Sequence, residues 1–77
     1  MTKELEARIR RMVDAVAADE KHFGVLSTGE KIAVALVLDR FDLLRYSRQF
    51  EYTMLEAVDR LGEEWTRAAV AVQKARA

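Results

Sequence analysis

The fold is decided by residues 27–45, which read STGEKIAVALVLDRFDLLR. Ser27 and Glu30 have the spacing of a capping box, in which each side chain binds a backbone N–H group that the first turn of a helix leaves unpaired. From Ile32 onward, apolar side chains cover an arc of roughly 240° around a helix axis. We therefore predict a helix over residues 28–45 that packs at the centre of the molecule.

The stretches on either side predict helices with narrower apolar faces. In residues 2–22, apolar side chains recur at intervals of three and four residues, as in an amphipathic helix. Residues 53–75 show the same intervals, and Thr53 with Glu56 repeats the capping-box spacing. The two apolar stripes are Leu5, Ile9, Met12, Val13 and Val16, and Met54, Val58, Leu61, Trp65, Ala68, Val72 and Ala75.

Gly62 lies inside the third of these segments. The apolar stripe keeps its phase on both sides of the glycine, which predicts one continuous helix over residues 53–75. The alternative is a break at Gly62 that produces a fourth short helix. The expected fold is all-α: a small antiparallel three-helix bundle with helices over about 2–22, 28–45 and 53–75, in a single helical domain over residues 1–77.

Composition supports this fold class and narrows the function. The 77 residues include no proline and no cysteine. The absence of proline favours helix, and without cysteine there is neither a disulfide framework nor a zinc knuckle. Thirteen basic and thirteen acidic residues leave no net positive charge. This balance argues against a nucleic-acid arm and against a binder of anionic membranes.

The sequence gives no sign of a targeting signal or a membrane span. Residues 1–11 lack the apolar core of a signal peptide. The longest apolar run, residues 32–38, is far shorter than the ~20 residues that cross a bilayer. We therefore expect a cytoplasmic protein. The excess of arginine over lysine, together with many alanines, is typical of a GC-rich bacterial genome.

No group of residues has the pattern of a catalytic, metal or cofactor site. Residues 24–31 contain two glycines and a lysine but lack the Gly-Lys-Ser/Thr order of a phosphate-binding loop. His22 is the only histidine and lies at the expected end of the first helix. We interpret it as a cation that interacts favourably with the negative end of the helix dipole. We therefore expect no enzyme activity, cofactor, metal or small-molecule substrate.

Two charged residues lie where the pattern predicts apolar ones. Arg40 falls within the apolar arc of the central helix, and Glu20 falls on the stripe of the first helix. A lone buried charge is strongly unfavourable, which leaves three interpretations. The two side chains are exposed at the edge of a face, they pair with each other, or they contact charges of another subunit.

The connector after the central helix alternates basic and aromatic residues: Arg45, Tyr46, Arg48, Phe50 and Tyr52. The simplest interpretation is that its aromatic side chains cover one end of the bundle. The same residue types are enriched in protein–protein hot spots and in single-stranded nucleic-acid sites, although nearby acids oppose the second use. Together with Glu20 and Arg40, these five residues are the candidates for partner binding.

These features predict a small non-enzymatic protein-interaction module of the regulator or inhibitor type, such as phages and mobile elements encode. The central helix offers more apolar surface than two narrow-striped neighbours cover, so a homodimer is expected first and a different protein partner second. The alternative is a helix-turn-helix regulator with Gly62 in its turn. Its recognition helix would begin with Glu63 and Glu64, whose charges disfavour contact with phosphates.

Overall fold

The computed structural model describes residues 2–40, 42–45 and 53–76, and all regular secondary structure in these residues is helical. The helices are α1 (Thr2–Ala18), a 3₁₀ helix (Glu20–Val25), α2 (Thr28–Val37), α3 (Asp42–Arg45), α4 (Met54–Leu61) and α5 (Glu63–Arg76). The prediction of an all-α small helical bundle is confirmed. Within the described ranges, no helix has the length and hydropathy to cross a membrane.

Helix α2 lies at the centre, as predicted, and packs against α1, α3, α4 and α5. The buried side chains are all apolar among the residues described, and α2 contributes more of them than any other helix. They are Ile9, Val13, Val16, Phe23, Ile32, Ala33, Val34, Ala35, Val37, Leu43, Leu44, Ala57, Leu61, Ala68, Ala69 and Val72. The apolar arc of the central helix is thus largely covered within one chain. Among the described residues of that arc, the surplus that favoured a homodimer is reduced to the half-buried Leu36 and Leu38.

The first helix ends at Ala18, so its predicted extension to His22 is wrong. Asp19 has extended backbone angles, and its side chain accepts the Lys21 N–H at 3.0 Å. A short acidic side chain that binds nearby backbone in this way competes with the α-helical hydrogen bond. The chain turns into the 3₁₀ helix instead, which buries Phe23 in the core and leaves His22 exposed beyond the end of α1.

The second predicted helix is also interrupted, because α2 ends at Val37 and α3 begins at Asp42. Asp39 has a left-handed φ of 54°. The Asp39 N–H donates to the Leu36 carbonyl at 3.2 Å, and the Arg40 N–H donates to the Ala35 carbonyl at 2.9 Å. This pair of bonds is the Schellman motif, which ends a helix. Arg40 therefore follows α2 and does not lie on its apolar arc.

The third segment breaks at Gly62, so the alternative is confirmed and the continuous helix over residues 53–75 is wrong. Gly62 has φ 88° and ψ 163°, a conformation that essentially only glycine adopts. Its carbonyl accepts the Thr66 N–H at 3.0 Å and the Thr66 hydroxyl at 2.6 Å. A Cβ atom at Gly62 would meet nothing within 4 Å, so backbone conformation, not space, requires the glycine.

Helices α1, α2 and α5 begin at the same end of the molecule. Near this end, the Arg8 guanidinium lies 2.7 Å from Glu30 of α2 and 5.7 Å from the ring centroid of Trp65 in α5. Toward the other end, Arg76 of α5 binds Asp14 of α1 at 2.6 Å. Helices α1, α2 and α5 therefore run in the same direction, which differs from the antiparallel arrangement expected. Residues 19–27, which include the 3₁₀ helix, carry the chain back from the end of α1 to the start of α2.

Candidate functional site

Arg40 and Glu20, the two charges that the sequence places out of pattern, meet at the surface. Nη1 of Arg40 lies 2.8 Å from Oε1 of Glu20. Nη2 and Nε of Arg40 donate to the two carboxylate oxygens of Asp42, at 2.9 Å and 3.3 Å. Of the three interpretations of these charges, two hold together: the side chains pair with each other, and both stay exposed. The acidic partner within α3, Asp42, was not foreseen.

The Arg40 cluster joins the 3₁₀ helix to the turn between α2 and α3. The hydrogen bonds that the guanidinium donates to Asp42, and to a smaller extent the one to Glu20, raise the pKa of Arg40 above its ordinary value. The three side chains remain about half exposed or more. Exposed ion pairs contribute little to stability in water, so the cluster acts mainly to orient the chain.

Of the other predicted binding residues, the structure describes only the backbone of Arg45. Arg45 is the last residue of α3. Tyr46, Arg48, Phe50 and Tyr52 lie outside the described residues. Their role in partner binding, and that of Arg45, therefore stays a prediction.

A second surface, the α4–α5 groove, has a predominantly apolar lining. Its volume is about 220 Å³, and it lies where α2, α4 and α5 meet. The groove is lined by Leu36, Val37, Val58, Thr66, Ala69, Val70 and Gln73. Gln73 donates from Nε2 to the carbonyls of Leu36 and Val37, at 3.2 Å and 3.3 Å. These bonds pair the Gln73 amide with two carbonyls at the end of α2, so these polar groups already have partners within the chain. The rest of the lining is mainly apolar.

The groove continues toward the α4–α5 break with a more polar lining. Val58 and Thr66 also border a second depression, which adds Asp59, Gly62, Glu63 and Arg67. The side of the groove that α4 forms is called the α4 wall, and the opposite side, formed by α5, is called the α5 wall. Asp59 belongs to the α4 wall and Arg67 to the α5 wall. Arg67 also pairs with Glu63, one turn earlier on α5, at 2.6 Å. The groove therefore has an apolar section and, beside it, a charged section.

Three large apolar side chains are strongly exposed among the described residues, and one of them lines this groove. Val70 is 44% exposed and lines the apolar section, while Leu55 is 83% exposed and lies one turn before Val58 on α4. The third is Val25, on the 3₁₀ helix. Residues at positions i and i+3 share a side of a helix, so Leu55 lies beside the α4 wall.

Sequence reasoning missed this groove because it treated residues 53–75 as one helix. Leu55 and Val70 both lie off the predicted stripe and were not among the predicted site residues. The signal that could have identified them is their apolar character on either side of Gly62. A break there brings α4 and α5 together, with both packed against α2.

The chemistry available in the groove is apolar contact, bordered by the two acidic side chains of Asp59 and Glu63 and the basic side chain of Arg67. No three His, Asp or Glu side chains in the described ranges come close enough together to hold a metal ion. Comparison of the chain with protein-family models, with curated proteins and with solved structures found no match. The function is therefore inferred from the surface of the molecule.

Proposed function

We propose that this chain is a small non-enzymatic protein-interaction module and that the α4–α5 groove is its contact surface. It acts by binding protein, either a second copy of itself or a different chain, as a regulator or inhibitor does. The observation that carries the proposal is the apolar groove with the exposed Val70 in its lining and the exposed Leu55 one turn before Val58, which also lines it. Exposed apolar side chains that adjoin a concave apolar lining are more typical of a binding site than isolated exposed apolar residues are.

The proposed mode of recognition is a helix of the partner bound in the groove. Apolar grooves between helices bind the apolar face of another helix, through side chains spaced three and four residues apart. The groove of about 220 Å³ has room for one or two aliphatic side chains. The cytoplasmic location expected from the sequence is part of the proposal and is tested by cell fractionation.

Site-specific photo-crosslinking tests the proposal in cells. The photoreactive amino acid p-benzoylphenylalanine replaces Val70, in the groove, or Ala7, an exposed residue of α1, as the matched control. We expect a protein adduct from position 70 and none from position 7. The adduct should disappear when Leu55→Asp, beside the opposite wall, is added. A position 70 that reacts no better than position 7, or an adduct that Leu55→Asp leaves intact, overturns the proposed function.

Helix-turn-helix binding to DNA remains the second candidate because the structure breaks at Gly62, where that interpretation requires a turn. Its electrostatics are unfavourable, since α5 begins with Glu63 and Glu64 and the nearby Arg67 pairs with Glu63 at 2.6 Å. This candidate predicts binding to duplex DNA that weakens steeply with added salt. Absence of any gel shift at low salt excludes it.

A further inference from the structure

We propose that the occupant of the α4–α5 groove is a second copy of this chain. The two copies form a two-fold dimer in which Leu55 of each copy packs against Val70, in the groove lining of the other. This inference rests on the proposed function and deepens it, because it names the partner. It is argued from three features of the groove: a projecting side chain, a complementary space and two opposite charges.

The projecting side chain and the space that can receive it lie on the same face. Leu55 is 83% exposed beside the α4 wall, and the groove offers about 220 Å³ lined mainly by apolar side chains. A two-fold interface uses the same surface patch on both copies, so that patch must be complementary to itself. A single face that carries both an exposed Leu55 and an exposed Val70 meets this requirement without any other surface.

The orientation of the two-fold axis follows from the positions of the walls. An axis along the groove places the α4 wall of one copy over the α5 wall of the other, and the reverse. Leu55 then faces the partner's Val70, which is 44% exposed. Both contacts occur twice, because the symmetry repeats them.

The same arrangement pairs opposite charges. Asp59 on the α4 wall and Arg67 on the α5 wall border the same section of the groove. The two-fold axis therefore sets Asp59 of each copy against Arg67 of the other. Within one copy Arg67 already pairs with Glu63, but both side chains are 76% exposed. Such an exposed pair is weak, so Arg67 can also contact a second carboxylate.

Net charge does not oppose the association of two copies. The chain has thirteen basic and thirteen acidic residues, so two copies do not repel each other as whole molecules. A protein with a balanced charge self-associates more readily than a highly charged one. Together with the local pairing of Asp59 and Arg67, this favours a second copy over a partner of strongly one-sided charge.

Sedimentation equilibrium of the full chain tests the apolar contact. We expect a reversible dimer, and Leu55→Ala should weaken it about 100-fold, because a loss of roughly 10-fold per contact is present twice. Val25→Ala is the matched control, since Val25 is also 83% exposed but does not line the groove. It should change the dimer dissociation constant by less than about 2-fold. Circular dichroism should show the same helicity for all three chains, so that a loss of folding is not mistaken for a loss of contact.

A charge exchange between copies tests the proposed orientation. Asp59→Arg alone and Arg67→Asp alone should each weaken the dimer, because each sets like charges against each other across the axis. A mixture of the two variants should form a heterodimer. In it, the substituted residues of the two chains face each other with opposite charges, and so do the unchanged Asp59 of one chain and Arg67 of the other. Glu4→Arg mixed with Arg10→Asp gives the same net charges on exposed residues of α1 and is the control. A mixture that associates no better than this control overturns the orientation.

The remaining outcomes separate this inference from the proposed function. A wild-type chain that stays monomeric at about 1 mM, or a dimer that Leu55→Ala leaves unchanged, overturns the dimer proposed here. If the monomeric chain still gives a groove-dependent adduct with a different protein, the proposed function stands and this inference fails. If position 70 gives no adduct of any kind, both fail.

Discussion

Helices α2 and α4 begin and end with the same local devices. Each starts with a capping box, formed by Ser27 and Glu30 in α2 and by Thr53 and Glu56 in α4. In both boxes the carboxylate accepts the backbone N–H of the capping residue, at 2.8 Å in α2 and 3.1 Å in α4. Each helix is also followed by a residue with positive φ, Asp39 after α2 and Gly62 after α4.

The two helices differ in what the rest of the molecule adds. The capping glutamate of α2 also binds Arg8 of α1 at 2.7 Å, and Gln73 of α5 donates to two carbonyls at the end of α2. The capping side chains of α4 have only local partners among the described residues, and Leu55 stays 83% exposed. Tertiary contacts therefore reinforce both ends of α2, whereas the capping side chains at the start of α4 bind within their own turn. This difference agrees with the proposal that α4 meets a partner, because contact at the exposed Leu55 would leave the centre of the core undisturbed.

The largest effect is expected where α4 ends, at Gly62. Gly62→Ala should lower the free energy of unfolding by about 1–3 kcal/mol, because alanine is strained at φ 88°. Urea denaturation measures the change. Gly29→Ala is the control, because Gly29 lies in the first turn of α2 without a positive φ and has open space around its Cβ position. It should be neutral or raise stability by up to about 1 kcal/mol. Equal losses in the two variants would contradict the conformational argument.

The capping glutamates should differ when their charge is removed. Glu30→Gln should lower stability at pH 7 by about 0.5–1.5 kcal/mol, because it loses the charged acceptor for Arg8 and for the Ser27 N–H. Glu56→Gln should have a smaller effect, because Glu56 has no partner on another helix in the described part of the chain. If the two variants lose equal stability in urea denaturation at pH 7, the tertiary contact to Glu30 contributes nothing.

The same two variants should respond differently to acid. The Ser27 N–H, together with Arg8, lowers the pKa of Glu30, and the Thr53 N–H lowers the pKa of Glu56, both from an ordinary value of 4.5. A carboxylate with a lowered folded-state pKa stabilises the fold above pH 4.5, and this contribution is lost as the pH falls through the folded-state value. The stability gap between wild type and each variant should therefore narrow from pH 7 to pH 3, more for Glu30→Gln. A gap that is independent of pH would contradict the ionic contribution.

The smallest effect is expected at the end of α2, where aspartate occupies a position that favours glycine. Asp39→Gly should raise stability by about 0.5–1 kcal/mol, because relief of the left-handed strain exceeds the added chain entropy of glycine. Thermal unfolding followed by circular dichroism measures this change. Asp39→Ala is the control and should give no gain, since alanine keeps the strain. A lower melting temperature for Asp39→Gly would show that the Asp39 side chain itself contributes to the turn.

The parts of the fold that follow from local rules could be predicted. Both capping boxes are present at the expected residues, because their hydrogen bonds span only three positions. Ile9, Val13 and Val16 are buried as the periodicity of α1 predicts. Pairing of Arg40 with Glu20 was one of the predicted outcomes. These features depend on spacing within a turn or on the penalty for a buried charge, and both can be evaluated from the sequence.

The helix ends were predicted poorly because they depend on burial elsewhere. Nothing in the pattern around Asp19 or Asp39 separates a helix interior from a helix end. The chain breaks there because Phe23, and then Leu43 with Leu44, become buried once the helix has ended. Burial of apolar side chains outweighs the modest preference of a few residues for helix. The α4–α5 groove could not be predicted for a related reason, since it exists only after the chain folds back at Gly62.

The sequence by itself determined that this protein is all-α, that α2 lies at its centre and that two capping boxes start α2 and α4. Hydrophobic periodicity and capping are local properties, so they can be identified from the sequence without knowledge of the fold. Only the tertiary structure decided where α1 and α2 end, that α1, α2 and α5 begin at the same end, and that α2, α4 and α5 meet at a groove lined in part by Val70. These features depend on contacts between residues far apart in the chain, and the competition among such contacts is resolved only when the whole core is packed.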